Sequence, residues 1–171
     1  RAAQQIGIPH YIVNFEAPFR EHVIRHFVQE YLAGRTPIPC THCNSDVKFA
    51  TLLERSAGLG ADQLATGHYV RVTSDETTGR HRLWRGVDAT KDQAYFLFSL
   101  TQAQLSQAMF PVGHMTKDVV RAYARQRGLL TADKPDSHEI CFVPDGDYAA
   151  FVERESGVAM RPGVIRDGTG R

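Results

Sequence analysis

The segment Thr36-Pro37-Ile38-Pro39-Cys40-Thr41-His42-Cys43-Asn44 constrains the fold of this chain more than any other. Its two prolines each fix φ and remove a backbone donor, and neither fits a helix interior, so the spacing predicts a stiff loop over 36–44. Helical patterns flank it. Before it, Phe19, Val23, Phe27 and Tyr31 recur at spacing four, with Ile24 and Val28 alongside. That is the stripe of an amphipathic helix over 19–32, closed by Gly34. After it, Val47, Phe49, Leu52 and Leu53 supply the apolar face of a second helix over 45–59, with Gly58 and Gly60 at its end. Residues 1–6 read as the end of a helix closed near Gly7, 10–15 as a short apolar strand, and 61–66 as a short buried strand. Gly67-His68 follows at its carboxyl end. Strand and helix signals that alternate in this way predict an α/β fold with a parallel sheet. Ligands of such sheets sit beyond the carboxyl ends of strands, where the 36–44 loop and Gly67-His68 fall.

Further along, 70–73 and 81–84 are predicted to pair as a hairpin around 75–79. Residues 92–100 and 102–109 read as helices, with Thr101 as N-cap of the second. Thr116 caps a helix running to Arg127 and ended by Gly128. Residues 140–143 form a short apolar run, and 148–152 one more helix. Beyond Gly157, the pairs Pro162-Gly163 and Asp167-Gly168 and then Gly170 mark a linker into a β-rich domain. The reading divides the chain into 1–73, 74–156 and 157–171. A chain of 171 residues can hold one domain with a substantial core and the start of a second. It starts at Arg1 without a methionine, so the expectation is a start inside a longer protein. No apolar run approaches the roughly 20 residues that span a bilayer, and no export leader is visible.

A net charge of +1 neither demands nor excludes a nucleic-acid partner. Two stretches, 71–91 and 117–134, lean basic; a solvated surface explains them as well as a contact does. The three cysteines, Cys40, Cys43 and Cys141, are too few and odd in number for a secreted disulfide scaffold, which points to a reducing, cytoplasmic setting. Cys40 and Cys43 form a C-x-x-C pair. Zinc would need four ligands, with His42 too near in sequence to complete the set. As a redox pair, Cys43 is read as immediately preceding a helix, whose N-terminus would favour its thiolate. Plain packing of two apolar cysteines is the third reading. Cys141, behind Asp136-Ser137-His138-Glu139-Ile140, is either a core cysteine or a reactive one. Lys91-Asp92-Gln93 is either a helix cap or a set of phosphate and base contacts.

Taken together these segments resemble a known family. Gly34 to Asn44 followed by Val47-Lys48-Phe49 resembles the GRTPNPCxxCNxxIKF signature of tRNA-specific 2-thiouridylases. Ala65-Thr66-Gly67-His68-Tyr69, Lys91-Asp92-Gln93-Ala94-Tyr95-Phe96-Leu97, Phe110-Pro111-Val112-Gly113 and Ser137-His138-Glu139-Ile140-Cys141-Phe142 resemble further motifs of that family, in its order. The resemblance implies an N-type ATP pyrophosphatase fold with a helical tRNA-contacting insertion. It also implies an enzyme that uses ATP with Mg²⁺ to adenylate the C2 oxygen of the wobble uridine and replaces it with sulfur. It assigns Cys43 as nucleophile, Cys141 as carrier of the persulfide, Gly67 to ATP, and Lys91, Asp92 and Gln93 to tRNA. Ile38, Pro39 and Cys40 fall on the segment that meets the target base; no metal ligand is assigned. The implied partners are tRNAs with a wobble uridine (those for Lys, Glu and Gln) and a sulfur-carrier protein or cysteine desulfurase, with no membrane. Two positions depart from the pattern: Ile38 replaces the usual Asn, and Cys40 is Asp in some members. The family's SGGxDSS phosphate loop has no counterpart in 1–171, so these residues are expected to be a fragment, inactive alone. The competing readings are a zinc-containing RNA-binding module and a different ATP pyrophosphatase that transfers sulfur to tRNA.

Overall fold

The computed structural model describes residues 2–136, 139–159, 161, 163–164 and 166–169. Helix α1 (Ala2–Ile6) turns at Gly7. The stripe at 19–32 folds as one helical rod in three windings: α2 (Glu16–Phe19), a π-helical stretch (Arg20–Ile24) and α3 (Arg25–Leu32). Asn14 Oδ1 accepts from the Glu16 amide at 2.8 Å. That bond satisfies a first-turn donor and starts the rod ahead of its apolar stripe. Val23, Phe27 and Val28 are its buried face, and Gly34, at a φ of 73°, ends it.

The predicted loop over 36–44 is shorter than expected. Only 35–38 are irregular. Helix α4 (Pro39–His42) begins at Pro39, a position where a missing N–H costs nothing because first-turn donors lack an intrahelical partner. A π-helical stretch (Cys43–Phe49) and α5 (Ala50–Ala57) continue it without a break. Cys43 therefore lies within a helical rod and does not precede one.

Strand β1 (Leu64–Ala65) pairs in parallel with β4 (Ala108–Met109), in register Leu64↔Ala108 and Ala65↔Met109. The 61–66 strand is thus two residues long, and neither is fully buried. Because 108–109 serve this pairing, the helix predicted over 102–109 stops early, as α6 (Gln102–Gln107). Thr101 caps it in a box with Gln104. Residues 10–15 form no strand: Tyr11 and Ile12 are exposed, and no strand among the described residues lies beside them. An apolar run alone does not make a strand; pairing and burial do.

Strands β2 (Val70–Ser74) and β3 (His81–Arg85) form the expected antiparallel hairpin, from Val70↔Arg85 to Ser74↔His81. Of the helix predicted over 92–100, one 3₁₀ turn (Ala94–Leu97) exists. Helix α7 (Lys117–Gln126) is capped by Thr116, and α8 (Tyr148–Ser156) by Asp147. Residues 140–143 make a turn closed by the Val143 amide on the Ile140 carbonyl at 2.9 Å. Past residue 157 the described residues form no helix or strand, and 160, 162, 165, 170 and 171 lie outside them.

Two apolar clusters organise these elements. One holds Phe49, Val70, Leu97, Leu100, Leu105 and Phe110. Packing is close here: a Cβ on Gly113 would fall 1.7 Å from the Val70 carbonyl oxygen, and one on Gly86 2.5 Å from that of Tyr69. The other cluster holds Phe27, Val28, Val143, Phe151 and Val152, with Phe142 packed on it. Both clusters join residues of 1–73 to residues of 74–156.

Candidate functional site

A cavity of about 510 Å³ is lined by residues of both helical rods and of later segments of the chain. The α2–α3 rod contributes Phe19 and Val23. The second rod contributes Ile38, Pro39, Cys40, Cys43, Asn44 and Lys48. His68, Gln93, Phe96 and the residues Glu139 to Phe142 complete the lining. All three cysteines therefore line one space, although 98 positions separate Cys43 from Cys141. Cys40 and Cys141 are exposed, Cys43 is half-buried, and all three are free thiols.

The environment sets their ionisation. Burial pushes the Cys43 thiol up, Lys48 pulls it part of the way back, and Cys141 and Cys40 add to the rise. Burial also raises Cys40, with Cys141 as its main charged neighbour and Lys48 acting against it. The expectation that a helix N-terminus lowers Cys43 is therefore corrected: Cys43 sits one turn inside the rod, and desolvation outweighs every other influence on it.

Lys48 is a site residue that sequence periodicity hides. On an α-helix five residues span about 140° beyond a full turn, which would point Lys48 away from Cys43. The π-helical winding of Cys43–Phe49 closes i to i+5 and returns Lys48 to the same wall. No carboxylate pairs with it among the described residues. His68 was also missed as a side chain. Its Nδ1 lies 2.8 Å from Thr66 Oγ1, its ring stands beside Phe49 and Phe110, and burial, helped by Lys48, lowers its pKa to about 4. It is neutral at physiological pH. Asn44 is buried, its Nδ2 donates to the Phe96 carbonyl at 3.2 Å, and its Oδ1 has no partner among the described residues.

The Lys91-Asp92-Gln93 triplet splits three ways. Gln93 lines the cavity, and its Oε1 accepts from the Tyr69 amide at 3.0 Å. Asp92 is a turn residue, accepting from the Gly86 amide at 3.0 Å and the Ala94 amide at 3.4 Å. Lys91 points elsewhere, to Asp136 Oδ2 at 2.9 Å; Lys117 reaches Asp136 Oδ1 at 2.8 Å and Arg121 stands 3.9 Å from it. Lys117 and Lys91 hold the Asp136 carboxyl far below the usual carboxylate range. Gly67 does not line the cavity but adjoins His68, and a Cβ there would meet nothing within 4 Å. Ser137 and His138 of the Cys141 motif lie outside the described residues. Among the described residues no group of three His, Cys, Asp or Glu side chains is placed to hold a metal ion, and no helix is long and apolar enough to cross a membrane.

A thiol-lined cavity lies just past the carboxyl end of a parallel strand in a mixed α/β body, and the domain is of the nucleotide-hydrolase-like HUP class. Residues 1–145 match the family described as the tRNA methyl transferase HUP domain, and the chain belongs to that family. It is 58% identical over 163 residues to the tRNA-specific 2-thiouridylase MnmA of Solibacter usitatus, covering 94% of this chain and 44% of that protein. To the proteins of the same name from Geotalea uraniireducens and Heliobacterium modesticaldum it is 54% and 52% identical, over 100% and 99% of its own length and 45% and 44% of theirs. The chain thus spans less than half the length of these relatives.

Proposed function

We propose that the protein forms 2-thiouridine at the wobble position of tRNA in the cytoplasm, by ATP-dependent sulfur transfer through a persulfide on Cys141. The observation that carries this reading is the convergence of Cys43 and Cys141 on one apolar-walled cavity. Sulfur transfer needs two thiols that can approach each other. Burial raises both helical thiols, and among the described residues Lys48 is the cavity cation that favours the Cys43 thiolate. The cavity volume lies within the usual 300–1,000 Å³ of small-ligand sites, room for a base taken out of its stack.

ATP and Mg²⁺ enter as substrate and counter-ion. ATP supplies the adenylation that makes the uridine C2 oxygen a leaving group. The residues described offer it the open backbone at Gly67, where an added Cβ would meet no residue beyond its chain neighbours within 4 Å, and Lys48, which lines the cavity with no carboxylate partner among the described residues. In this reading Gln93 hydrogen-bonds a base edge and Ile38 and Pro39 pack on its face, a reading supported by the cavity that all three line. Lys91, with Lys117 and Arg121, forms a basic group suited to tRNA phosphates. Asp92 acts by holding the turn that presents its two neighbours. A sulfur-carrier protein or a cysteine desulfurase loads the exposed Cys141.

The test is radiolabelled sulfur in the full-length protein. Cys141→Ser abolishes persulfide loading. Cys43→Ser still loads but does not thiolate tRNA. If both variants keep full thiolation, the two-thiol reading is wrong.

A further inference from the structure

The sulfur-transfer scheme uses two thiols, and the cavity holds three. Resting on that scheme, we propose that Cys40 is its resolving thiol: it takes over Cys43 from the disulfide that sulfur release leaves behind and returns Cys141 to the free state.

Three features of the site support this. Cys40 lines the same cavity as Cys43 and Cys141 and is exposed. Cys40 and Cys43 stand three positions apart on one helical rod, where the Cα atoms of residues so spaced lie about 5 Å apart. That separation lies within the roughly 4.4–6.8 Å a disulfide bridges between Cα atoms. The electrostatics give an order of events. The charged neighbour that chiefly opposes ionisation of Cys40 is Cys141, whereas Lys48 is the first charged neighbour of Cys43 and favours its thiolate. Cys43 is therefore the first nucleophile. Once the Cys141 sulfur is tied up in a disulfide it no longer opposes ionisation of Cys40, which leaves burial against that ionisation and Lys48 in its favour.

The chemistry balances. The Cys43 thiolate attacks the Cys141 Sγ that bears the sulfane sulfur; the Cys43–Cys141 bond forms, the S–S bond of the persulfide breaks, and hydrosulfide leaves for the activated uridine. Two cysteine sulfurs are oxidised and the sulfane sulfur gains the electron pair. The Cys40 thiolate then attacks Cys43 Sγ; the Cys40–Cys43 bond forms and Cys141 leaves as thiolate, taking up the proton Cys40 lost. This exchange has no net redox change. A dithiol reductant of the thioredoxin class then supplies two electrons and two protons to the Cys40–Cys43 disulfide. Cys141 is thereby ready for its donor before the reductant arrives.

The experiment uses full-length protein loaded with persulfide, run through one turnover on tRNA with ATP and Mg²⁺ but no reductant. It is then quenched in acid, alkylated and mapped by mass spectrometry. The wild type is expected to show a Cys40–Cys43 disulfide and alkylated Cys141, and Cys40→Ser to stop at a Cys43–Cys141 disulfide. With dithiol reductant present, Cys40→Ser and Cys40→Ala should both lower steady-state turnover about tenfold more than they lower the first turnover. A wild type that stops at Cys43–Cys141 with Cys40 alkylated overturns the proposal. So does a first turnover slowed as much as the steady state. If instead Cys43→Ser and Cys141→Ser still thiolate tRNA, the underlying sulfur-transfer reading has failed, and this role falls with it.

Discussion

Gly113 should tolerate no side chain. A Cβ built on it lies 1.7 Å from the Val70 carbonyl oxygen, 2.6 Å from its carbon and 3.2 Å from Arg71 Cγ, where ordinary contact begins at 3.4 Å. Restoring contact in Gly113→Ala therefore requires a backbone shift of about 1.7 Å in a close-packed interior. Neither side gives easily. Val70 is fully buried and pairs with Arg85 in the hairpin. On the other side, the Gly113 carbonyl accepts from the Val87 amide at 3.0 Å, and its own amide donates to Phe110, which is buried in the first cluster. Losing one backbone hydrogen bond costs about 1 kcal/mol, and overpacking of this kind about 2 more, so the expected destabilisation is about 3 kcal/mol. Urea denaturation of the full-length protein measures it as a lower midpoint at unchanged slope. Gly67→Ala, with nothing within 4 Å, is the control and should match the wild type in stability. Because Val70 follows His68 and Tyr69, Gly113→Ala should also slow the proposed thiolation. A Gly113→Ala protein within about 0.5 kcal/mol of wild type would refute the reasoning.

Other perturbations read the site itself. Lys48→Met removes the cation that opposes the burial of Cys43, so the Cys43 thiol should rise further; its alkylation rate at neutral pH should fall, and the pH profile of alkylation should move to higher pH. His68, at about 4 in the folded protein against 6.5 ordinarily, contributes stability that is complete above 6.5 and is lost as pH falls from 6.5 towards 4. Thermal melts across that window should show a loss of about 2 kcal/mol after allowance for its partial exposure, and His68→Gln should remove that component. Asp136→Asn weakens the hold of Lys91 and Lys117 on the residue five positions before Cys141. Alkylation of Cys141 should then accelerate relative to Cys43, and an unchanged ratio would show that the ion pairs do not restrain it.

The helices were legible in the sequence where one periodicity held. The stripe at Phe19, Val23, Phe27 and Tyr31, the N-cap at Thr101, and the turn around 75–79 all express local physics that a short window contains. The thiol motif itself was legible, but its local structure was not. Pro39 forbids a helix interior yet suits a helix start, and the same residue supports either reading until the chain on both sides is known. Lys48 escaped because π-helical winding breaks the spacing by which helical faces are read. The strand at 108–109 escaped because its reason is Leu64 and Ala65, over forty positions away. His68 looked like the end of a strand, and only burial beside Phe49 and Phe110 gives its ring a distinct chemistry.

Cys141, the proposed persulfide carrier, is positioned without an element to carry it. Its neighbours 139–143 form no helix or strand, so no backbone ladder orients the thiol. Side chains do this instead, on both sides. Ahead of it, Asp136 is held by Lys91 and Lys117 and flanked by Arg121, and Glu139 accepts from the Tyr148 hydroxyl at 2.9 Å. Behind it, the Phe142 ring meets Phe19, Phe27 and Phe151 at centroid distances of 5.6, 5.2 and 5.3 Å, and Val143 is buried in the same cluster. The two anchors differ in kind. The aromatic one is insensitive to salt, whereas the ionic one consists of cations that an RNA phosphate would also attract. A polyanion arriving at Lys91, Lys117 and Arg121 competes with Asp136 for them, loosening one end of the Cys141 segment while the other stays fixed. Phe142→Ala should therefore raise Cys141 alkylation equally at low and high salt, while the effect of Asp136→Asn should shrink as salt rises. Equal salt dependence in the two variants would show that the anchors do not divide in this way.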